Sequence, residues 1–307
     1  MGLLPSHIRL VASMHSRYRF EGPVCSLGNQ DIWASRNDIK QCLDDVGCPY
    51  HEPATILGHS SRTFAMSAEL ARIARDFVHA RTLFEAFGIR EYLDLDKFDS
   101  DNPALRHDFN DPVPPELENR FGLVFDGGTI EHIFDVRQVM ANITKMLRPQ
   151  GCVVHICSFG MDHGFYAFSP GFFFDFYGAN GFDNFECYLL EADFSDITRT
   201  YARRNRYVEY RYGMSLDGVL DMSREILVFF AARKLRALPA LVVPTQGAYE
   251  RRGDLQEAPP EQRTSLFERV VPRWLQPAAA PARPLLRAAY HMLQRRRARR
   301  AARDGLI

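Results

Sequence analysis

The stretch 121-FGLVFDGGTIEHIFD-135 decides the reading of the fold. Its first residues are apolar as far as Asp126, the pattern of a strand buried on both faces, and Gly127-Gly128 stop it at a turn. Asp135 then stands where a helix over 135–147 (DVRQVMANITKML) needs an N-cap acceptor. Past Pro149-Gln150-Gly151 a second apolar run, 152-CVVHICSF-159, repeats the strand pattern. Strand, helix and strand in that order predict a parallel pair joined by a crossover helix.

The same alternation extends outward in both directions. Upstream, 24-VCSL-27 is a short apolar strand ending at Gly28, and 91-EYLDLD-96 and 104-ALRHDF-109 read as two more. Residues 3–19 read as a short helix. Over 64–87, Met66, Leu70, Ile73, Phe77, Ala80, Phe84 and Phe87 recur at steps of four and three, which predicts one helix stopped by Gly88. Downstream, 169–178 reads as an aromatic-rich helix that Ser169 can cap and Pro170 can start. The runs 185-FECYLLEA-192 and 225-EILVFFAAR-233 complete the strands, whereas 34–62 shows no assignable pattern. The expectation is an α/β protein with a mostly parallel central sheet and helices on both faces. Ligands of such sheets sit beyond the carboxyl ends of the strands, where the strand order switches. Gly28, Asp96, Asp108 and Asp126-Gly127-Gly128 all fall at those ends.

Composition narrows the rest. The 307 residues are 46% hydrophobic with zero formal net charge, which argues against a chain that binds polyanions through its overall charge. The six cysteines form no C-x-x-C pair and have no histidines at zinc spacing, so free thiols and no metal site are expected. No stretch reads as a signal peptide, and apolar runs such as 226-ILVFFAA-232 are too short to span a bilayer. A cytoplasmic protein is expected. Residues 236–282, rich in Pro, Ala, Gln and Arg, read as a linker or irregular arm. Residues 283–307 read as a basic amphipathic helix, with Leu285, Ala289, Met292 and Leu293 on one face among the arginines. Such a helix can lie on an anionic membrane surface, stay solvated, or bind nucleic acid without sequence preference; specific nucleic-acid binding is not expected.

In 121–135, a strand, a small turn, a hydrophobic pair, Glu131-His132 and an acid opening a helix resemble the fourth-strand motif of class I S-adenosylmethionine-dependent methyltransferases. The passage 146-MLRPQGCVVHI-156 is similar to that family's approach to its fifth strand. More narrowly, LGNQ at 27–30, HDFNDPVP at 107–114, DGGTIEH at 126–132 and HGFYAFSP at 163–170 resemble bacterial methyltransferases of surface-glycan pathways. The resemblance covers about residues 20–235, and with it the whole of 1–235 reads as a Rossmann-like methyltransferase domain. It implies S-adenosylmethionine as cofactor and a hydroxyl of a cell-surface glycan or its precursor as acceptor.

On that resemblance, Gly28 with Asn29 and Gln30 forms the first cofactor loop, where a glycine allows close backbone approach. Asp96 would accept the ribose hydroxyls, Asp108 the adenine amino group, and Phe109 would cover a ring face. Asp126 and Gly127 would face the methionine portion. His163 is the candidate general base, with His132 the other candidate catalytic residue. The first loop departs from the family pattern at Ser26, Asn29-Gln30 and Asp31. A non-catalytic binding module at a membrane-associated assembly therefore stands as the alternative. A dinucleotide-dependent oxidoreductase is disfavoured by the lack of G-x-G-x-x-G at the first turn.

Overall fold

Residues 121–159 fold into the strand, helix and strand that their pattern predicts. The computed structural model describes residues 2–59, 62–98, 102–159, 164–192, 206–216, 219–221 and 224–247. In chain order the elements begin with β1 (Gly2–Leu3), α1 (Pro5–Tyr18), β2 (Val24–Leu27), β3 (Asp31–Ser35), α2 (Arg36–Asp44) and α3 (Ala68–Ile73). Then come β4 (Phe77–His79), α4 (Ala80–Ala86), β5 (Tyr92–Asp96), β6 (Leu105–Arg106), β7 (Phe121–Asp126) and α5 (Val136–Met146). The last are β8 (Leu147–Ser158), α6 (Pro170–Ala179), β9 (Phe182–Ala192), β10 (Arg206–Glu209) and β11 (Glu225–Lys234).

The main sheet runs β10-β9-β11-β8-β7-β2-β5-β6. β6, β5, β2, β7 and β8 are parallel to their neighbours, and β11 enters antiparallel between β8 and β9. Alternate residues of β7 and β8 point to opposite faces, as the period of two requires. Leu123, Phe125, Cys152, Val154 and Ile156 share a core with Ile8, Val11 and Met14 of α1, Ile39 and Leu43 of α2, and Leu83 and Phe84 of α4. On the opposite face, Phe173 and Tyr177 of α6 stack against Phe230 of β11. The fold is thus the expected Rossmann-like α/β class, with a mostly parallel sheet covered on both faces.

From β2 the chain works outward through β5 to β6, then returns to place β7 and β8 on the other side of β2. The strand order therefore switches between β2 and β7. Register keeps the strand ends level, because Leu27 pairs with Leu95 on one side and with Asp126 on the other. Gly28, Asp96 and Gly127 consequently stand abreast at the carboxyl edge.

Several elements differ from expectation. The single helix expected over 64–87 is broken into a 3-10 turn, α3, a second 3-10 turn, β4 and α4. Two breaks have local causes: Ser67 caps α3 by accepting from Leu70 N–H, and His79 caps α4 by accepting from Arg81 N–H. Between them, Phe77–His79 is drawn out by pairing antiparallel with β3, in a small sheet ordered β1-β3-β4. The strand expected over 104–109 keeps only Leu105–Arg106, because Asp108 bends the chain by accepting from Asn110 N–H at 3.0 Å. Ser169 precedes α6 but gives it no side-chain cap, whereas Pro170 does occupy its first turn. Within 34–62 lies α2, opened by a capping box in which Ser35 and Asp38 exchange hydrogen bonds.

One compact unit comprises Met1–Tyr210 with Glu225–Pro244 and carries both sheets. The second comprises Arg211–Arg224 with Thr245–Ile307; its described residues include a turn closed by Met214 N–H donating to Arg211 O at 2.8 Å. Residues 236–246 are irregular, and the helix expected over 283–307 lies outside the described residues. No helix among the described residues is long and apolar enough to cross a membrane. All six cysteines are free and buried.

Candidate functional site

The carboxyl ends of β2, β5 and β7 bring together residues that the sequence places far apart. Gly28 has φ +72°, a left-handed conformation that suits glycine. Its N–H donates to Leu95 O at 2.7 Å, so the loop is pinned to the next strand. A Cβ at position 28 would lie 3.2 Å from Thr129 Oγ1 and 3.4 Å from Asp96 Oδ2, so Gly28, Asp96 and Thr129 converge. Thr129 Oγ1 donates to Leu27 O at 2.6 Å and Ser26 Oγ donates to Gly28 O at 2.9 Å, fixing the loop from both sides.

Asp94 and Asp96 have separate tasks. Asp94 is buried and accepts from Ala104 N–H at 3.0 Å, which ties β5 to the approach to β6. Asp96 is half-buried at the strand end; Oδ1 accepts from Phe98 N–H at 2.9 Å, while Oδ2 faces Gly28. That oxygen retains lone pairs for a ligand hydroxyl.

Gln30 packs between the β2 and β7 ends. Its Nε2 donates to Leu27 O at 2.7 Å, and its Oε1 lies so close to Gly127 that a Cβ there would meet it at 2.0 Å. Gln30 is 4% exposed, and its Oε1 is a buried acceptor without a hydrogen-bond partner among the described residues. An unsatisfied buried polar atom costs about 1–3 kcal/mol, so this oxygen marks a place where a donor would be welcome.

Asp126, expected at the methionine portion, turns into the protein instead. It is wholly buried, and its Oδ2 lies 2.7 Å from His155 Nδ1. His155 Nε2 in turn lies 2.6 Å from the Tyr177 hydroxyl. A carboxylate oxygen accepts, so Nδ1–H donates to Asp126, and Nε2 shares the second hydrogen bond with the Tyr177 hydroxyl. Asp126 Oδ1 accepts from Thr129 N–H at 2.9 Å and Ile130 N–H at 3.3 Å. The carboxylate thereby holds the turn on which Gly127, Gly128 and Thr129 sit. Cys157 Sγ also approaches Asp126 Oδ2, at 3.5 Å. Burial, and then the Asp126 charge, push the Cys157 thiol and the Tyr177 hydroxyl far above their usual ranges. The Asp126, His155 and Cys157 donor atoms lie within 4.8 Å of one another, close enough to suggest metal ligands. Both imidazole nitrogens are committed to protein partners, so this trio acts as a hydrogen-bonded strut.

Glu131 and His132 share one 3-10 turn and face opposite ways. His132 is exposed, whereas Glu131 is buried and its carboxyl is pushed up to about 7, first by burial and then by Asp126. Glu131 Oε1 accepts from Ser158 N–H at 3.5 Å at the end of β8. Its backbone carbonyl accepts from Phe165 N–H at 2.7 Å, which docks the segment following β8 over this turn. His163 lies outside the described residues.

Asp108 and Phe109 sit apart from this cluster. Asp108 Oδ2 is 2.7 Å from Lys97 Nζ, and Oδ1 accepts from Asn110. Lys97 and the two Asn110 donors hold the Asp108 carboxyl down at about 2. Phe109 is buried, its ring edge-on to His107. Asn142 of α5 donates to Phe109 O and Asp111 O and accepts from Val113 N–H, anchoring the loop. The structure thus brings together Gly28, Gln30, Asp96 and Gly127, beside Asn29, with Asp126 beneath them. Asp108 and Phe109 stand farther along the edge, and His132 on the far side of the turn. Sequence reasoning missed His155 and Tyr177, whose only signal is a polar residue inside each apolar run.

No protein-family model matches the chain, and no curated protein matches it. Solved structures do. A possible histamine N-methyltransferase from Thermotoga maritima, described as dependent on S-adenosylmethionine, is 12% identical with TM-score 0.34, covering 75% of this chain and 99% of its own. A putative methyltransferase from Bacillus halodurans is 10% identical with TM-score 0.35, covering 74% and 99%. The phosphoethanolamine N-methyltransferase 2 of Haemonchus contortus, solved with S-adenosylmethionine, is 16% identical with TM-score 0.31, covering 73% and 52%.

Proposed function

We propose that this chain is an enzyme that binds S-adenosylmethionine across the carboxyl ends of β2, β5 and β7. Its reaction would be methyl transfer to a hydroxyl of a cell-surface glycan or glycan precursor. The observation that carries the reading is the convergence of left-handed Gly28, the free Asp96 oxygen and side-chain-free Gly127 at the switch in strand order. An open α/β sheet offers its ligand crevice there. The donor set fits the cofactor: Asp96 Oδ2 suits ribose hydroxyls, and the Gly28–Gln30 loop suits the amino-acid end. Asp108 keeps one Oδ2 lone pair beyond its bonds to Lys97 and Asn110, enough for an adenine amino hydrogen.

When bound, the cofactor supplies an electrophilic methyl group on a sulfonium. The chain's contribution is to orient the two reactants and remove water, and positioning of that kind accounts for much of a bimolecular barrier. His163 is proposed as the base for the acceptor's proton, with His132 as the second candidate. The glycan acceptor rests on the sequence resemblance in 107–114 and 163–170.

A second reading, a non-catalytic binding module, is favoured by one observation. Only three residues separate β2 from β3, so no helix N-terminus follows the first loop to meet an anionic ligand group. Mass spectrometry of surface glycans from a strain lacking the gene separates the two. Loss of one methylene mass from a defined glycan supports the enzyme, and unchanged glycans support the binding module.

A further inference from the structure

We propose that the exposed ring pair Phe134 and Phe165 is the acceptor subsite, a platform on which a pyranose ring stacks beside the strand ends. The proposal rests on the glycan reading above and adds to it the surface that holds the sugar.

Phe134 is 70% exposed and Phe165 63%, yet the two rings pack edge to face, with centroids 5.5 Å apart and planes at 86°. Apolar side chains exposed singly are ordinary, but two rings in contact and both open to water make a surface suited to binding. The backbone that carries them is fixed. Phe165 N–H donates to Glu131 O at 2.7 Å, the Tyr166 hydroxyl donates to Phe134 O at 2.8 Å, and Asp135 N–H donates to Asn110 Oδ1 at 2.9 Å. Gly164, at φ +77°, lets its segment press so closely on the Glu131 turn that a Cβ would meet Glu131 O at 2.5 Å. From Phe165 the ring contacts run through Tyr166 and buried Phe168 to Phe173 in the core. The platform is thus built before a ligand arrives, which lowers the ordering cost of binding.

Its position suits an acceptor. Glu131, on which Phe165 docks, lies two residues beyond Thr129, whose Oγ1 stands 3.2 Å from where a Gly28 Cβ would lie. On the other side, Asn110 is bonded to Asp108 as well as to Asp135. The rings therefore share the carboxyl edge with Gly28 and Asp108.

The rings and their polar neighbours together select the occupant. A pyranose presents C–H bonds of partial positive charge, which the negative face of an aromatic ring attracts, and carries hydroxyls around its rim. Two rings at right angles offer it a floor and a wall, and exposed His132 and Asp135 adjoin Phe134 along the chain to meet the hydroxyls. A protein partner needs about 800 Å² on each side of an interface, far more than two rings provide. An acyl chain would bring nothing for the polar groups.

Saturation-transfer NMR on the full chain with S-adenosylhomocysteine tests this, the probe being oligosaccharides released from the surface glycan of a strain lacking the gene. Irradiating the aromatic protons of the wild type should saturate the sugar ring C–H protons. In the double variant Phe134→Ala with Phe165→Ala, sugar affinity should fall about 10-fold, or 1.4 kcal/mol, while calorimetric affinity for S-adenosylhomocysteine stays within about twofold. Phe165→Trp should retain the sugar affinity, whereas Phe165→Leu, apolar but without a ring face, should lose it. Sugar binding unchanged in the double variant, or kept by leucine as well as by tryptophan, would overturn the proposal; the glycan reading would still stand on the lost methylene mass. A wild type that binds S-adenosylhomocysteine but no oligosaccharide would overturn the platform and leave the cofactor reading intact. Binding of neither probe would overturn both.

Discussion

Replacing Tyr177 by Phe removes a single oxygen from the buried chain Asp126–His155–Tyr177, and its cost can be worked out from the structure. The hydroxyl lies 2.6 Å from His155 Nε2, and all three side chains are buried, so water cannot take its place without opening the α6 face. The imidazole nitrogen would be left without a partner, at a cost of about 1–3 kcal/mol. His155→Leu should cost more, about 3–5 kcal/mol, because it strips the buried Asp126 carboxylate of its partner at 2.7 Å. In the double variant His155→Leu with Tyr177→Phe, the hydroxyl orphaned by the first change is removed by the second. The two effects should therefore fall short of additivity by about 0.5–3 kcal/mol. Urea unfolding of the four proteins, followed by far-ultraviolet circular dichroism, measures each quantity. A Tyr177→Phe protein within about 0.3 kcal/mol of wild type, or strictly additive single effects, would refute the coupled chain.

Three further outcomes are expected. Gly127→Val should abolish S-adenosylhomocysteine binding while the chain still folds, since even a Cβ there meets Gln30 Oε1 at 2.0 Å; unchanged binding on calorimetry would remove Gly127 from the site. Glu131, raised to about 7 by burial and by Asp126, holds its proton in the folded chain above the pH at which it would ionise unfolded. Stability from this group is therefore complete at about pH 4.5 and lost as pH rises through 7, and Glu131→Gln should flatten that part of the thermal-unfolding profile; an unaltered slope would contradict it. The eight arginines between Arg283 and Arg303 should carry the full chain down with anionic vesicles in a salt-sensitive manner, unlike a chain ending at residue 282; equal sedimentation of the two would sink the membrane proposal.

Much of the fold was legible because the decisive signals are local. The apolar run ending at Asp126 and the cap at Asp135 set β7 and α5 without help from the rest of the chain, and Gln138 N–H does donate to Asp135 at 2.9 Å. Where sequence reasoning failed, long-range pairing had overruled local period. Positions 66, 70, 73 and 77 keep helical spacing, yet Met66 is 80% exposed and Phe77 pairs with Ser35, more than forty residues away in a second sheet. The Ser35 and Asp38 capping pair was a readable signal for α2, and an apolar stripe was not needed to see it. In the site, glycines and acids at strand ends could be located from position alone. Which way a side chain faces could not: Asp126 turns inward because Thr129 N–H, Ile130 N–H and His155 all need its oxygens. Likewise, adjacent Glu131 and His132 are separated by a 3-10 turn whose direction no sequence period reports.

The central claim is that Asp96 and the Gly28 loop form a cofactor site, and one titration tests it. S-adenosylhomocysteine is added to the wild-type chain and to Asp96→Ala in a calorimeter. The account predicts saturable one-site binding to the wild type, weakened in Asp96→Ala by about 1.5–3 kcal/mol as the ribose hydroxyls lose a charged acceptor. Binding of equal strength to the two chains, or no heat from either, would contradict it.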